Sequence, residues 1–156
     1  MLIRDFREGD EAGLRKVFLS AVHESASRDY TVQQLNAWAP RILDEDLWNQ
    51  RMRRTKPYVV EIAGRIVAFA DLHDSGFIDH FFVSAPVEGQ GIGSALMRHL
   101  HDAAAQRGIR QLSSDVSRTA QAFFEHFGFE VVEQRVRMVR GVSVPNAFMT
   151  KSLNAS

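Results

Sequence analysis

The stretch that most constrains the fold is residues 77 to 104, FIDHFFVSAPVEGQGIGSALMRHLHDAA. Its apolar run, Phe77, Ile78, Phe81, Phe82 and Val83, predicts a strand over 77 to 83. Ala85-Pro86 turns the chain, and Gly89, Gly91 and Gly93 follow at alternate positions. A helix is expected directly after them, because Ile92, Leu96, Leu100 and Ala103 or Ala104 share one face at helical spacing. Strand, glycine loop and helix together make a device for holding phosphate. The first N–H groups of a helix have no partner inside it, and their dipoles favour an anion at the N-terminus. Glycine lets the backbone come close to a ligand and adopt positive φ. The competing reading is a glycine-rich turn that merely caps an amphipathic helix.

Spacing sorts the phosphate ligands. A dinucleotide loop needs G-x-G-x-x-G, but Ser94 and Leu96 stand where its third glycine would fall. A P-loop needs Lys followed by Ser or Thr after its last glycine, and this chain has Ser94-Ala95. Neither fits.

The totals narrow the class further. With 156 residues the chain suits one domain, 1–156, with a full core. Lys plus Arg and Asp plus Glu are 19 each, so no net charge draws it to nucleic acid or a membrane surface. No apolar run approaches the ~18 residues of a membrane span. MLIRDFREGDE is charged at once and does not read as a signal peptide. There is no cysteine, which excludes disulfides, thiolate catalysis and cysteine metal sites; a cytoplasmic protein is expected.

Taken in order, residues 1 to 6 read as a first strand. Asp10 starts a helix whose Leu14, Val17, Phe18, Ala21 and Val22 form one face. Thr31 caps a short second helix that Pro40 closes. A third is expected over Asp44 to Arg54, with Leu47, Trp48 and Met52 inward. Tyr58–Ile62 and Arg65–Leu72, joined by Ala63-Gly64, should form an antiparallel meander with the strand at 77 to 83. After the loop helix come a strand over Ile109–Val116 and a helix over Ser117–Phe127 with Ala120, Phe123, Phe124 and Phe127 on one face. Strands at Phe129–Val139 and Val144–Leu153 finish the chain.

Glu88-Gly89-Gln90-Gly91-Ile92-Gly93 resembles the acyl-CoA loop of the GNAT N-acetyltransferase superfamily, whose pattern is Arg or Gln, two residues, Gly, one residue, then Gly or Ala. Glu88 departs from it at the first position. AQAFFEHFGFEVVE resembles the family's later helix and Gly-Phe strand start, and DYTVQQLNAWAP with RGVSVPNAFMTKSL is similar to a bacterial single-domain subgroup. The resemblance spans the chain. It implies an α+β fold, an α/β/α sandwich whose mixed, mostly antiparallel seven-stranded sheet is flanked by helices, in the order β-α-α-β-β-β-α-β-α-β-β.

The function implied is transfer of an acetyl group from acetyl-CoA to an amine of a small molecule or peptide, by direct attack in a ternary complex and without a metal. Acetyl-CoA would wedge between the strand at 77 to 83 and the strand at 109 to 116. Main-chain groups of Phe81, Phe82 and Val83 would hold its pantetheine arm. The loop, Glu88, Gly89, Gln90, Gly91, Gly93 and Ser94, would take the pyrophosphate, with the Glu88 side chain turned outward. Ser117 and Phe124 would line the same site. An amine of pKa ~10.4 gives up about 4.6 kcal/mol of proton affinity to attack at pH 7, so a base is expected. Asp79 and His80 are the candidates; on a pleated strand they point to opposite sides, so only one would face the cleft. His23, Glu24 and Asp71 are secondary candidates. The family tyrosine that protonates the leaving thiolate is Phe124 here, which cannot donate. Tyr30, Ser117, His126 or water would replace it. His23, Tyr30 and Trp38 fall in the segment that builds the acceptor site. A homodimer is common in the family. Phe124 and Glu88 also sustain a rival reading, a catalytically weak acyl-CoA-binding or sensor module.

Overall fold

The computed structural model describes residues 1–42 and 44–153. Among the described residues, five α-helices and eight strands make a mixed α+β fold. Strand β1 (Leu2–Arg4) leads into α1 (Glu11–Ser20), which runs on through a π turn at Ala21–Ser25 and a 3-10 turn at Ala26–Arg28. Helices α2 (Val32–Trp38) and α3 (Glu45–Thr55) follow, so the helices expected from Asp10, Thr31 and Asp44 are all present before the meander. Thr31 caps α2 as predicted. Its hydroxyl accepts from the Gln34 N–H at 3.1 Å, and the Gln34 side chain accepts from the Thr31 N–H at 2.8 Å, a reciprocal capping box.

Strands β2 (Tyr58–Ile62) and β3 (Arg65–Ala70) pair antiparallel around the Ala63-Gly64 turn, where both residues have positive φ. The meander then departs from expectation. The run at 77 to 83 is two strands, β4 (Phe77–Ile78) and β5 (Phe81–Val83). Strand β5 pairs antiparallel with β3, whereas β4 pairs parallel with β6 (Gln111–Ser117). The seven-stranded sheet is therefore two four-stranded sheets, ordered β1-β2-β3-β5 and β4-β6-β8-β7. The reason lies between β4 and β5. The N–H groups of Asp79 and His80 donate to the Asp71 carboxylate, at 2.7 and 3.2 Å, instead of to a neighbouring strand. With the ladder interrupted there, the two halves of the run part and a cleft opens between β5 and β6.

Helix α4 (Ile92–Gln106) buries Ile92, Leu96, Met97, Leu100 and Ala104, the face read from the spacing. The helix expected from Ser117 starts later, as α5 (Gln121–His126), because Ser117 ends β6 and Ser117–Ala120 forms a turn, with the Ala120 N–H donating to the Ser117 carbonyl at 3.0 Å. Strands β7 (Glu130–Val139) and β8 (Val142–Ser152) close the chain as a long hairpin.

Two cores lie on the two faces of the sheets, which makes the sandwich. Helices α1 to α3 pack Leu14, Val17, Phe18, Leu35, Trp48 and Met52 against Val59 and Phe69. On the other face α4 and α5 meet Val60, Ala68 and Ala70. Adjacent residues of β2 and β3 thus go to opposite cores, as strand periodicity requires. Trp48 also donates its indole N–H to the Glu11 carbonyl at 2.8 Å, tying α3 to α1. Leu47, expected inward, is 62% exposed, because it precedes the Trp48–Met52 face by about 100° of helix. No helix of the described residues is long and apolar enough to cross a membrane.

Candidate active site

The glycine loop is held at both ends. The Ser84 N–H donates to the Val67 carbonyl at 2.8 Å, and a 3-10 turn at Ala85–Val87 directs the chain toward α4. The Ser20 hydroxyl accepts from the Ala85 N–H at 3.0 Å, fastening the loop to the end of α1. Gly91 is the N-cap of α4, in the left-handed region at φ 82°. No side chain caps this helix. Its first-turn N–H groups are therefore available to an anion. Gly93 is helical, and a Cβ there would meet the Phe123 ring at 3.4 Å.

Above the loop lies a cavity of about 360 Å³. Phe81, Phe82, Val83, Glu88, Gly89, Gly91, Gly93, Ser94 and Ser117 all line it. Two expected members do not. Gln90 is exposed and outside the cavity, and Phe124 is 2% exposed, packed edge-on to Phe129 and Phe81 in the core. Phe124 instead lines the narrower space in the cleft. The Glu88 carboxylate turns to the π turn, where the Ser25 hydroxyl donates to it. Sequence reading missed the wall formed by Ala21, Ser25, Ala26 and Arg28. Its one signal was a second cation-bearing segment, SASR, at the end of the first helical pattern.

In the cleft between β5 and β6 a second cavity, about 100 Å³, is bounded by Asp79, Phe81, Ser114, Ser117, Phe124 and Asn146, among others. Beyond it opens a third of about 400 Å³, walled by Phe18, Trp38, Trp48 and Phe82 and containing Asp79 and His80. Trp38 and Phe82 line all three spaces, their ring centroids 6.2 Å apart.

Of Asp79 and His80, Asp79 borders the cleft cavity and His80 does not. Both line the third cavity, because strand pleating lapses where the ladder is interrupted. His80 Nδ1 lies 2.6 Å from Asp71 Oδ2, and Asp71 is 1% exposed. With its other oxygen accepting the two backbone N–H groups, Asp71 is an acceptor on every side, so Nδ1 donates to it. That leaves Nε2 as the acceptor nitrogen, without a hydrogen-bond partner among the described residues. Asp79 is more open, its carboxylate 3.6 Å from His80 Nδ1. Aromatic rings of Trp48, Phe69 and Phe82 surround the imidazole with centroids 6.1 to 6.3 Å away. A histidine aimed by a buried carboxylate is an arrangement suited to taking a proton.

Of the acceptor residues expected, Tyr30 borders the cleft cavity and Trp38 all three spaces, while Tyr30 is not free to donate a proton. Tyr30 is 7% exposed and its hydroxyl is committed: it donates to the Pro145 carbonyl at 2.6 Å and accepts from the Arg118 N–H at 2.9 Å. Burial pushes its pKa up, so it remains a protonated tie between the helical segment and β8, with no second proton for a thiolate. The His23 ring nitrogen Nε2 bonds the Ala39 carbonyl at 2.6 Å, and His23 lines none of the three cavities. Glu24 accepts from the Ser20 hydroxyl at 2.7 Å and is likewise outside them. His126 is exposed on α5, also away from these spaces. Trp38 is the predicted acceptor residue that all three cavities share.

Comparison with known proteins bears on the family and the fold. The family model for the acetyltransferase (GNAT) domain matches residues 26–150. An Escherichia coli K12 protein named as an uncharacterized N-acetyltransferase, YafP, is 33% identical over 147 residues, covering 94% of this chain and 93% of its own. A crystal structure of a GCN5-related N-acetyltransferase from Rhodopseudomonas palustris superimposes with a TM-score of 0.93 at 28% identity, covering 97% of this chain and 95% of that one. The fold is also that of Salmonella typhimurium YncA, an acetyltransferase structure described with its cofactor acetyl-CoA: TM-score 0.71, 21% identity, 100% of this chain and 95% of that one covered.

Proposed function

The chain belongs to the GNAT acetyltransferase family, and on that premise we propose that residues 1–156 form one N-acetyltransferase domain that moves the acetyl group of acetyl-CoA directly onto an amine. The observation that carries the proposal is the junction. Trp38 and Phe82 are common to a cavity ending on the uncapped N-terminus of α4 and to a cavity containing the Asp71-held His80. A donor seated on the first and an amine in the second would meet there.

Each end has a chemical role. The first-turn N–H groups of α4 and the backbone of Gly89 and Gly91 would hold the pyrophosphate, with Arg28 on the opposite wall as a further cation. The backbone of Phe81 to Val83 would carry the pantetheine arm. His80 Nε2 takes the proton from the incoming amine, and Asp71 is a positioning residue that holds the ring and its Nδ1 proton. A C–N bond forms, the C–S bond breaks, and the sulfur leaves as thiolate. Of the hydroxyl and imidazole groups considered for returning a proton to it, Ser117 lines both the donor cavity and the cleft. A thiol of pKa ~8.5 also leaves readily without help, so Ser117 or water suffices where Phe124 is inert. The chain has no cysteine, so the acetyl group goes straight to the amine. A cytoplasmic setting suits that composition.

Purified protein titrated with acetyl-CoA should melt higher. At ~100 times the dissociation constant the folded state gains about 2.7 kcal/mol, a rise of about 5–10 °C for a chain this size. ATP and NAD, which the loop spacing disfavours, should give no comparable rise. A flat response to acetyl-CoA overturns the proposal. The buried Phe124 favours one second reading, a binding module without turnover. It would be revealed by the same melting shift with no CoA thiol released across a broad panel of amines.

Strand β7 supports a homodimer. It is the free edge of its sheet, and Val132, Val136 and Met138 are 60 to 63% exposed on it. Such an edge favours pairing with another copy. Sedimentation should give twice the 17.6 kDa chain mass, and Val136→Asp with Met138→Asp should return a folded monomer. A monomeric wild type refutes the dimer.

A further inference from the structure

Charge in the third cavity is unevenly distributed. Four arginines line it: Arg51 and Arg54 from α3, Arg137 from β7, and Arg140 from the β7–β8 turn. Arg51 and Arg54 are three residues apart and so share a helix face, and β7 brings Arg137 to the same space. Two carboxylates line the cavity, against four guanidinium groups, and neither pairs with an arginine within 4.0 Å among the described residues. Asp44 caps α3, accepting the Asp46 and Leu47 N–H groups at 3.0 and 3.3 Å, and Asp79 lies 3.6 Å from His80 Nδ1. His80 is the remaining titratable group there, itself paired with Asp71.

The neighbours of these arginines are paired, and they are not. Arg53, on the same helix, bonds Glu11 at 3.0 Å. Arg135, two residues before Arg137, reaches Asp115 and Glu133 at 3.4 Å and covers the Phe148 ring at 4.3 Å. Arg51, Arg54 and Arg137 have no carboxylate within 4.0 Å among the described residues; Arg140 gives one N–H to the Ala37 carbonyl at 2.7 Å, which leaves its charge unneutralised. Arg54 also borders an adjoining cavity, Arg137 the cleft between β5 and β6, and Arg140 a groove beside α2. In a chain of zero net charge, unpaired guanidinium groups from two separate elements converge on one aromatic-walled space beside the proposed base.

Resting on the acetyltransferase reading, we infer that the amine acceptor carries an anionic group, a carboxylate or a phosphate, that these arginines hold while its apolar body lies against Trp38, Trp48 and Phe18. Guanidinium groups suit both anions through paired N–H donors. The anchoring sets the distance of the amine from His80 Nε2, so it acts on recognition and on orientation together. A simple cationic amine gains nothing from this wall and is repelled by it.

The test is a pair of matched comparisons on protein saturated with CoA, read by calorimetry. One arm is L-phenylalanine against phenethylamine, which differ by the carboxylate. The other is phosphoethanolamine against ethanolamine, which differ by the phosphate. At least one acid should bind about ten- to hundredfold more tightly than its partner, as charge-assisted hydrogen bonds imply. The preference should narrow as salt rises from 50 to 300 mM. The pair Arg51→Gln and Arg137→Gln should abolish it while the acetyl-CoA melting shift persists. Equal or stronger binding of both partners that lack the anion overturns the inference, and so does failure of both acids to bind the CoA-loaded protein. Because the melting shift is read separately, a failure here leaves the donor site standing, while loss of that shift in the wild type removes the acetyltransferase reading itself.

Discussion

His80→Gln should lower kcat by about 10²–10⁴-fold, the range a positioned base contributes, while the acetyl-CoA melting shift stays as in the wild type. Glutamine fills a similar space and can still donate to Asp71, so the core around Trp48 and Phe69 is kept. What disappears is the acceptor nitrogen. The donor cavity does not include His80, which is why donor binding should be indifferent to the change. Asp71→Asn should lower kcat as well, since it removes the acceptor at 2.6 Å that fixes the Nδ1 proton and aims the ring. Rates are read by CoA thiol release, for which the cysteine-free chain gives no background. If His80→Gln keeps its rate, the base is Asp79, which lines the same cavity.

Gly76→Ala should destabilise the fold by about 2–5 kcal/mol, measured by urea unfolding. Gly76 has φ 88°, and a Cβ there would lie 1.9 Å from the Gln111 carbonyl oxygen. That oxygen belongs to the backbone at the start of β6 and cannot swing aside as a side chain would. The Gly76 carbonyl also accepts from the Ser113 N–H at 3.0 Å, at the head of the parallel β4–β6 pair. Overpacking costs about 1–3 kcal/mol, and the left-handed conformation adds about 1–2 kcal/mol for a residue with Cβ. Gly64→Ala separates the two contributions. It has φ 76° with nothing within 4 Å of the built Cβ, so only the conformational part applies, about 1–2 kcal/mol. Equal losses in the two variants would mean that β4 and β6 part without cost. The cleft between β5 and β6 would then be far softer than its backbone contacts indicate.

Local pattern carried much of the architecture. The Ile92–Leu96–Leu100–Ala104 face, the Thr31 cap and the Ala63-Gly64 turn are each decided by residues within a few positions of one another, and each appears as read. The glycine loop was legible for the same reason: φ at Gly91 and the free N–H groups after it depend on its own few residues. The family resemblance then supplied the acyl-CoA expectation that the spacing alone could only narrow.

The catalytic end of the site was not legible in this way. The interruption at Asp79–His80 exists because Asp71, eight and nine residues earlier, accepts both backbone N–H groups. An alternating apolar pattern does not reveal that a side chain will displace a strand partner, so one strand was expected where two diverge. Tyr30 looked available as a proton donor because its acceptor, the Pro145 carbonyl, lies 115 residues away. The arginines of α3 and β7 were scattered surface charges in the sequence and become one wall only when α3 and the β7–β8 hairpin meet. From its order of residues alone, then, the chain determined its helices, its turns and the phosphate-holding loop, since hydrogen bonds and periodicity act over one or two turns of backbone. Which polar groups remain unspent at the site was decided by the tertiary structure, because a donor or acceptor is committed or free only according to the distant atoms that folding brings beside it.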